Sequence, residues 1–471
     1  MLNRAFDNDT ICAISTPHGM GAIAVIRVSG SHAFDAVTSV FQRNGKTMPI
    51  EDIISHKAFY GHIIYNGEML DEVLVTFFKS PHSFTGEDSA EISVHGSVYV
   101  QQRLLQVLIA QGCRMAEAGE FTRRAFVNRK FDLAQAEAIA DLIESESEAA
   151  HRVAVNQLKG GFSKELQMMR SKLLEMTSLI ELELDFSEED VEFADRSQLK
   201  ALLHETLAHV DKLKDSFRLG NAIKNGIPVA IVGQTNTGKS TLLNALLGED
   251  RAIVSDIAGT TRDTIEETLN INGILYRFID TAGLRNTDEA IEKIGIERSY
   301  RKIQEATIVI GMLDATKDYE STLSAAKVVL SKVDLEHQQL ILCINKVDTL
   351  NDQGEALLGL LRQDLDDDDI LVICLSAKSR FGLSDLYNTL KHYQPLSYPD
   401  ATLVTNVRHY EALLHASESL KQVQQGLELN IPTDLISQDL RQALHYLGSI
   451  TGEITTDEVL GSIFSRFCVG K

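Results

Sequence analysis

Residues Ile227-Pro-Val-Ala-Ile-Val232 form an apolar run suited to a buried strand. It leads at once into Gly233-Gln-Thr-Asn-Thr-Gly-Lys239-Ser240 and then into Leu242-Leu-Asn-Ala-Leu-Leu247, which reads as a helix. A Gly-x-x-x-x-Gly-Lys-Ser run set between strand and helix leaves few folds open. The glycines let backbone N–H groups wrap a phosphate, and the helix adds its positive N-terminal end. Lys239 is placed to reach β- and γ-oxygens, and the Ser240 hydroxyl to ligate Mg²⁺. Residues 223 to about 391 keep alternating strand and helix, as an α/β nucleotide domain must.

Three further motifs follow in order, each at the end of an expected strand. Tyr276-Arg-Phe-Ile-Asp280 runs into Asp280-Thr281-Ala282-Gly283, where Asp280 can hold Mg²⁺ through water and the Gly283 N–H can sense a γ-phosphate. Leu340–Ile344 precedes Asn345-Lys346-Val-Asp348. The Asp348 carboxylate can accept from guanine N1–H and the 2-amino group; adenine would leave it unpaired. Leu371–Leu375 delivers Ser376-Ala377-Lys378, whose Ala377 N–H suits guanine O6. Together these predict a GTP site built from Asn236, Thr237, Gly238, Lys239, Ser240 and Thr241, the later motifs, and a switch loop. That loop is Ser255, Asp256, Ile257, Ala258, Gly259, Thr260 and Thr261, with Thr261 as the second hydroxyl on Mg²⁺ and Thr260 as its rival. Residue 284 is leucine where Ras-like enzymes carry a water-orienting glutamine, so the attacking water must be placed otherwise; Asp288, Glu289 and Glu292 are the acids nearby.

Outside this stretch the texture differs. Residues 1–128 look mixed α/β, with strands at Gly21–Gly30, Val73–Phe78 and Ala90–His95, and a helix capped by Ser31 presenting Ala33, Phe34, Val37, Val40 and Phe41. From Asp132 an alanine-rich helical pattern runs to Gly160-Gly161. A second helix carries Leu166, Leu173, Leu174 and Ile180, and a third spans about Gln198 to Arg218. Helical texture returns from Val404, and Thr455 with Glu458 has capping-box spacing before Val459 and Leu460. The expected organisation is an N-terminal α/β domain (1–128), a helical domain in two parts (129–222 and 392–471), and a nucleotide domain (223–391) inserted between them.

Composition narrows the partners. A net charge of −22 opposes a nucleic-acid binder coated in positive charge, so any RNA contact must be local or supplied by a second protein. Arg114 to Lys130, with Arg123, Arg124 and Arg129, is such a local run; it reads either as a solvated face or as an RNA contact. Five scattered cysteines without a C-x-x-C pair point to a reducing compartment rather than to zinc or disulfides. With no secretory signal and no apolar run of spanning length, a cytoplasmic protein off the membrane is expected.

Asn236, Asp280-Thr-Ala-Gly-Leu-Arg285, Glu292, Asp132-Leu-Ala-Gln-Ala-Glu-Ala138, Phe84-Thr-Gly-Glu87 and the terminal Phe467-Cys468-Val469-Gly470-Lys471 together resemble the bacterial tRNA-modification GTPases of the MnmE (TrmE) family. The resemblance covers essentially the full length. It implies a P-loop, Ras-like domain inserted in a helical domain and a folate-binding-like N-terminal domain that dimerises. It also implies a K⁺ ion held by Asn236, Ser255, Ile257 and Thr260, water positioned through Glu292, and catalytic roles for Lys239 and Cys468. Arg27, Glu91, Lys130 and Lys471 match the family's site for 5-formyltetrahydrofolate-type ligands. The implied activity is a potassium-stimulated GTPase. It works as a homodimer with the flavoprotein MnmG (GidA), in a heterotetramer, to install an aminomethyl-type (carboxymethylaminomethyl) group on carbon 5 of the wobble uridine of certain tRNAs. A GTP-driven ribosome or RNP assembly switch without RNA chemistry shares the nucleotide motifs, as would a folate enzyme regulated by GTP. An assembly factor needs neither the folate-like domain nor the Cys-x-Gly-Lys terminus.

Overall fold

The computed structural model describes residues 9–185, 196–249, 267–279, 303–349, 354–365, 370–392, 402–429, 431–465 and 467–470. The chain divides into two compact units. One comprises Met1–Ile143, Ala154–Asp211 and Glu411–Lys471; the other comprises Glu144–Val153 and Lys212–Tyr410.

In the first unit, β1 (Ile11–Ile14), β2 (Ile23–Ser29), β3 (Phe41–Arg43), β4 (Lys46–Thr47), β5 (Ala58–Tyr65), β6 (Glu68–Phe78), β7 (Ser89–His95) and β8 (Arg114–Met115) form one sheet. Its order is β4-β3-β5-β6-β7-β2-β1-β8, antiparallel except for the β1–β8 pair. Alternation along the strands sorts side chains by face. Ala24, Ile26 and Val28 of β2 join Val73, Val75 and Phe77 of β6 and Ile92 and Val94 of β7 in the core, together with Leu104 and Leu108 of the helix Val98–Ala110. The odd-numbered positions of β2 fall on the other face, which is why Arg27 shares it with Ile23 and Val25.

Local expectations fail at four places, each for a visible reason. Ser31 is not a cap: the helix is only Ala33–Thr38, entered through His32 without a side-chain cap bond. It stops where the Thr38 hydroxyl turns back onto the Phe34 carbonyl, and Phe41 then enters the sheet opposite Ile63. The alanine-rich stretch is two helices, Leu133–Glu144 and Glu148–Leu158, because Ser147 Oγ accepts from Ala150 N and starts a new one. The third expected helix ends early, at Asp215, where the Ser216 hydroxyl bonds back to the Leu213 carbonyl. The last cap is Thr456 rather than Thr455; its hydroxyl accepts from Val459 N, while Thr455 Oγ1 is buried without a partner. The helices Gly161–Asp185 and Thr433–Thr451 pack together, the first through Leu166, Met169, Leu173, Met176 and Ile180 at helical spacing.

In the second unit, β9 (Ile227–Gly233), β10 (Glu267–Ile271), β11 (Ile274–Phe278), β12 (Ile308–Asp314), β13 (Gln339–Asn345) and β14 (Leu371–Cys374) line up as β10-β11-β9-β12-β13-β14. Only the β10–β11 hairpin is antiparallel. The central strands are near-continuous apolar runs because both faces are covered. Val229 and Ile231 pack with Leu242 and Leu246 on one side; Ala230 and Val232 pack with Val309 and Leu342 on the other. All five parallel strands therefore end at the same edge, where an open α/β sheet presents its ligand crevice.

Candidate functional site

Three of the four expected loops are described at that edge. After β9 the chain turns at Gly233 and the helix Lys239–Glu249 begins, so the phosphate-loop motif sits between strand and helix. Lys239 Nζ donates to the Gly233 carbonyl at 2.9 Å and to the Gln234 carbonyl at 2.7 Å, which holds the ammonium across the loop mouth. Asn236, at the loop tip, is exposed and has a φ of 62°. Thr237 is buried, and its hydroxyl donates to the Gln234 carbonyl. Ser240 is half-buried in the first helical turn and Thr241 beside it is exposed.

Asn345, at the end of β13, ties the loops together. Its Nδ2 donates to the Thr237 carbonyl at 2.7 Å and its Oδ1 accepts from Ala377 N at 2.9 Å. One buried amide thus fixes the phosphate loop against the Ser376-Ala377-Lys378 loop. Gly238 is where this closeness is tightest: a Cβ there would collide with Asn345 Nδ2, and its φ is 96°. Ser376 N donates to the Phe381 carbonyl, and both Ser376 and Ala377 are buried while Lys378 is exposed. Asp348 is exposed in the short 3-10 turn Val347–Thr349. Lys346 makes an ion pair with Asp314 at 2.7 Å, a partner that motif reading had not singled out. A cradle of backbone donors, a lysine, a helix-turn hydroxyl and an exposed carboxylate at one sheet edge suits a guanine nucleotide with its metal. Ser255, Asp256, Ile257, Ala258, Gly259, Thr260, Thr261, Asp280, Thr281, Ala282, Gly283 and Glu292 lie outside the described residues, and so does Lys471.

A second constellation lies on the face of the N-terminal sheet that carries Arg27. Arg27 and Glu91 stand opposite each other on β2 and β7. Arg27 Nε and Nη2 donate to Glu91 Oε1 at 3.0 and 2.8 Å, so the charge is paired. The guanidinium, 19% exposed, lies over Phe84 at 5.0 Å and Phe121 at 5.6 Å from the ring centroids. Lys130 Nζ donates to the Pro81 carbonyl, in the loop that carries Phe84. The C-terminal segment docks beside this group: Gly119 N donates to the Cys468 carbonyl, Val469 bridges Ala118, and the Ser15 hydroxyl donates to the Gly470 carbonyl. Cys468 is exposed, while Cys12, Cys113 and Cys343 are buried; burial beside Cys374 pushes the Cys343 thiol up to about 12.

In the basic run 114–130, Arg114, Arg123 and Arg124 are ion-paired, while Arg129 and Lys130 are exposed. Arg114 pairs with Glu120 and Asp9, Arg123 with Glu117, and Arg124, 5% exposed, with Glu120 and Glu87. Burial alone would push the Glu120 carboxyl up, but the Arg114 guanidinium, the Glu117 N–H and Arg124 outweigh it and hold it at about 2. Acids placed from three to 105 residues away in sequence pair with these three arginines.

The fold and the loop set define a P-loop guanine-nucleotide hydrolase. A family profile described as the MnmE helical domain matches residues 133–468, and one described as the GTP-binding protein TrmE N-terminus matches residues 10–130. The tRNA modification GTPase MnmE of Flavobacterium johnsoniae is 50% identical over 470 residues, covering 99% of this chain and all of that protein. Its namesake from Bacteroides fragilis (strain ATCC 25285) is 51% identical over the same length and coverage. Among solved structures, Era in complex with MgGDPNP and a segment of 16S ribosomal RNA matches 41% of this chain and 66% of that one, at 27% identity and a TM-score of 0.28. This chain belongs to the MnmE family of tRNA modification GTPases, and it is a GTP hydrolase involved in tRNA modification. No helix among the described residues is long and apolar enough to cross a membrane.

Proposed function

We propose that this chain is a magnesium-dependent, potassium-stimulated GTPase of the cytoplasm. It works as a homodimer with a flavin-dependent partner of the MnmG (GidA) type, in a heterotetramer, to place the carboxymethylaminomethyl-type group on carbon 5 of the wobble uridine. The observation that carries this beyond a bare GTPase is the seating of Cys468, Val469 and Gly470 on Gly119, Ala118 and Ser15 of the N-terminal α/β domain. An assembly switch has no use for an exposed thiol on a terminus docked to the domain that carries the Arg27–Glu91 pair.

The residue types match the chemistry of the groups they would hold. Ser240 and Thr261 would hold Mg²⁺, and Asn236, Ser255, Ile257 and Thr260 would hold K⁺; both cations offset charge that develops on the phosphates. Asp348 and Ala377 would read guanine, Lys239 would hold the transferring phosphate, and Glu292 would place the water. Arg27, Glu91, Lys130 and Lys471 would hold a reduced folate, whose flat ring suits the Phe84 and Phe121 walls and whose one-carbon unit would supply only the methylene carbon joined to C5.

Mass spectrometry of wobble nucleosides in a strain lacking the protein tests the reading. Loss of the modified uridine, restored by the native chain and not by Cys468→Ser, supports it. Normal modification without the protein would hand the function to the assembly switch. Potassium is tested separately: GTP hydrolysis should rise when K⁺ replaces Na⁺ at fixed ionic strength, and Asn236→Ala should remove that response.

A further inference from the structure

Asp314 is the last residue of β12, and its side chain is 11% exposed. Its two oxygens face different groups. Oδ1 accepts from Thr316 N at 3.0 Å and Thr316 Oγ1 at 2.7 Å; Oδ2 accepts from the Lys346 ammonium at 2.7 Å. The adjoining Ala315 N–H donates to the Asn345 carbonyl at 3.0 Å. The end of β12 therefore grips both residues that open the Asn345–Asp348 loop.

Lys346 needs that grip. Its φ is 68°, a left-handed backbone that costs an L-residue with a Cβ about 1 kcal/mol and persists only where the surroundings hold it. Asp348 lies two residues further on, so the direction of its carboxylate follows from the Lys346 backbone. Asn345 is fixed through Thr237 and Ala377, and Lys346 through Asp314. Burial alone would raise the Asp314 carboxyl, yet Lys346 and Thr316 together keep it below the usual carboxylate range, so the anchor stays charged at neutral pH.

We propose that Asp314 is a positioning residue for guanine recognition: by anchoring the Lys346 ammonium it holds the Asn345–Asp348 loop in the left-handed turn that aims Asp348 at the base. This rests on Asp348 as the residue that reads guanine. Asp314 acts through Lys346, its contacts being with Lys346 and Thr316.

The test uses the full-length chain as native protein, Asp314→Asn, Lys346→Met and the double variant. It reads equilibrium binding of a fluorescent GDP analogue and steady-state GTP hydrolysis. Asp314→Asn keeps the shape and an acceptor for Thr316 but sets an amide against the ammonium. Kd and KM should rise about tenfold with kcat changed by less than about twofold, the size expected for one lost charge-assisted contact. In the Lys346→Met background the same change should add less than about twofold, because the two residues form one unit. Asp314→Glu, which restores the charge, should recover most of the affinity. An equal rise in both backgrounds would mean that Asp314 serves the fold and not the loop, and unchanged binding would equally overturn the proposal. Asp348→Asn, measured alongside, should shift preference from GTP toward XTP. If it does not, the guanine reading beneath the proposal has failed; if it does while Asp314→Asn binds normally, only the Asp314 proposal falls.

Discussion

The nucleotide edge of the β9–β14 sheet and the Arg27 constellation of the N-terminal sheet are assembled in opposite ways. At the nucleotide edge each functional group sits in a short run that directly follows its own strand, and one buried amide, Asn345, links the runs. The Arg27 group draws on β2, β7, the loop at Phe84, the helix Glu120–Val127 and the segment Cys468–Gly470. Its Arg27 charge is matched by the Glu91 carboxylate. The first arrangement depends on backbone shape at a few glycines, the second on ion pairs and a docked segment. Their sensitivities to mutation should differ accordingly.

The largest effect should come at the nucleotide edge. Gly238→Ala would drive a Cβ into Asn345 Nδ2 at a position with positive φ, so either the phosphate loop or the bond to Thr237 must move. Loss of alignment at a phosphoryl-transfer site costs about a hundredfold or more, so kcat/KM for GTP should fall at least that far. Phosphate-release assays read this directly. A variant that keeps a tenth of native activity would show that the loop tolerates the shift, and the contrast with the N-terminal site would lose its basis.

An intermediate effect is expected at Glu120, and on stability rather than on hydrolysis. Glu120→Gln leaves Arg124, buried among its partners, short of one anion, a change worth roughly 3–5 kcal/mol in such settings. Hydrogen exchange across residues 114–128 should accelerate while GTP turnover holds. The pH dependence has a definite sign. Because the folded Glu120 carboxyl is depressed to about 2 from an ordinary 4.5, its contribution is complete above pH 4.5 and is lost as pH falls toward 2. Native protein should therefore lose protection in this segment over that window, and Glu120→Gln should lose less of what remains. A variant with the native acid profile would remove Glu120 as the cause.

The same contrast explains what could be read in advance. The nucleotide loops were legible because backbone conformation, phosphate chemistry and strand ends coincide in contiguous residues such as Gly233–Ser240. Arg27 and Glu91 came together in the sequence only through the family resemblance, because their pairing depends on β2–β7 register, which connects residues 64 apart. The run 114–130 misled for the same reason, since Glu87 and Asp9 approach it only in the folded sheet. Asp314 escaped notice because an aspartate ending a strand carries no motif, and its meaning comes from Lys346 across the sheet edge. Helix ends were misplaced by a residue or more wherever a hydroxyl chose between bonding back and capping forward, as at Thr38, Ser147 and Thr455.

The smallest expected effect on GTP hydrolysis is at the docked terminus, and it separates the two regions most cleanly. Gly470 has a φ of 95°, and a Cβ added there would collide with the Ile14 carbonyl, so Gly470→Ala is excluded both by backbone conformation and by space. The segment must then leave its seat, breaking the Ser15–Gly470 bond and the Ala118–Val469 bridge. The bonds that hold the phosphate loop and the Asn345 amide are made by Gly233, Gln234, Thr237 and Ala377, none of which this change touches. GTP turnover by Gly470→Ala should therefore stay within about twofold of native, as for a surface change away from the chemistry. Limited proteolysis should meanwhile cut the terminus faster, and alkylation of Cys468 should quicken as its carbonyl loses Gly119 N. A terminus that stays protected would mean the sheet edge yields instead. A large fall in hydrolysis would mean that the two regions are coupled, which nothing in their separate construction requires.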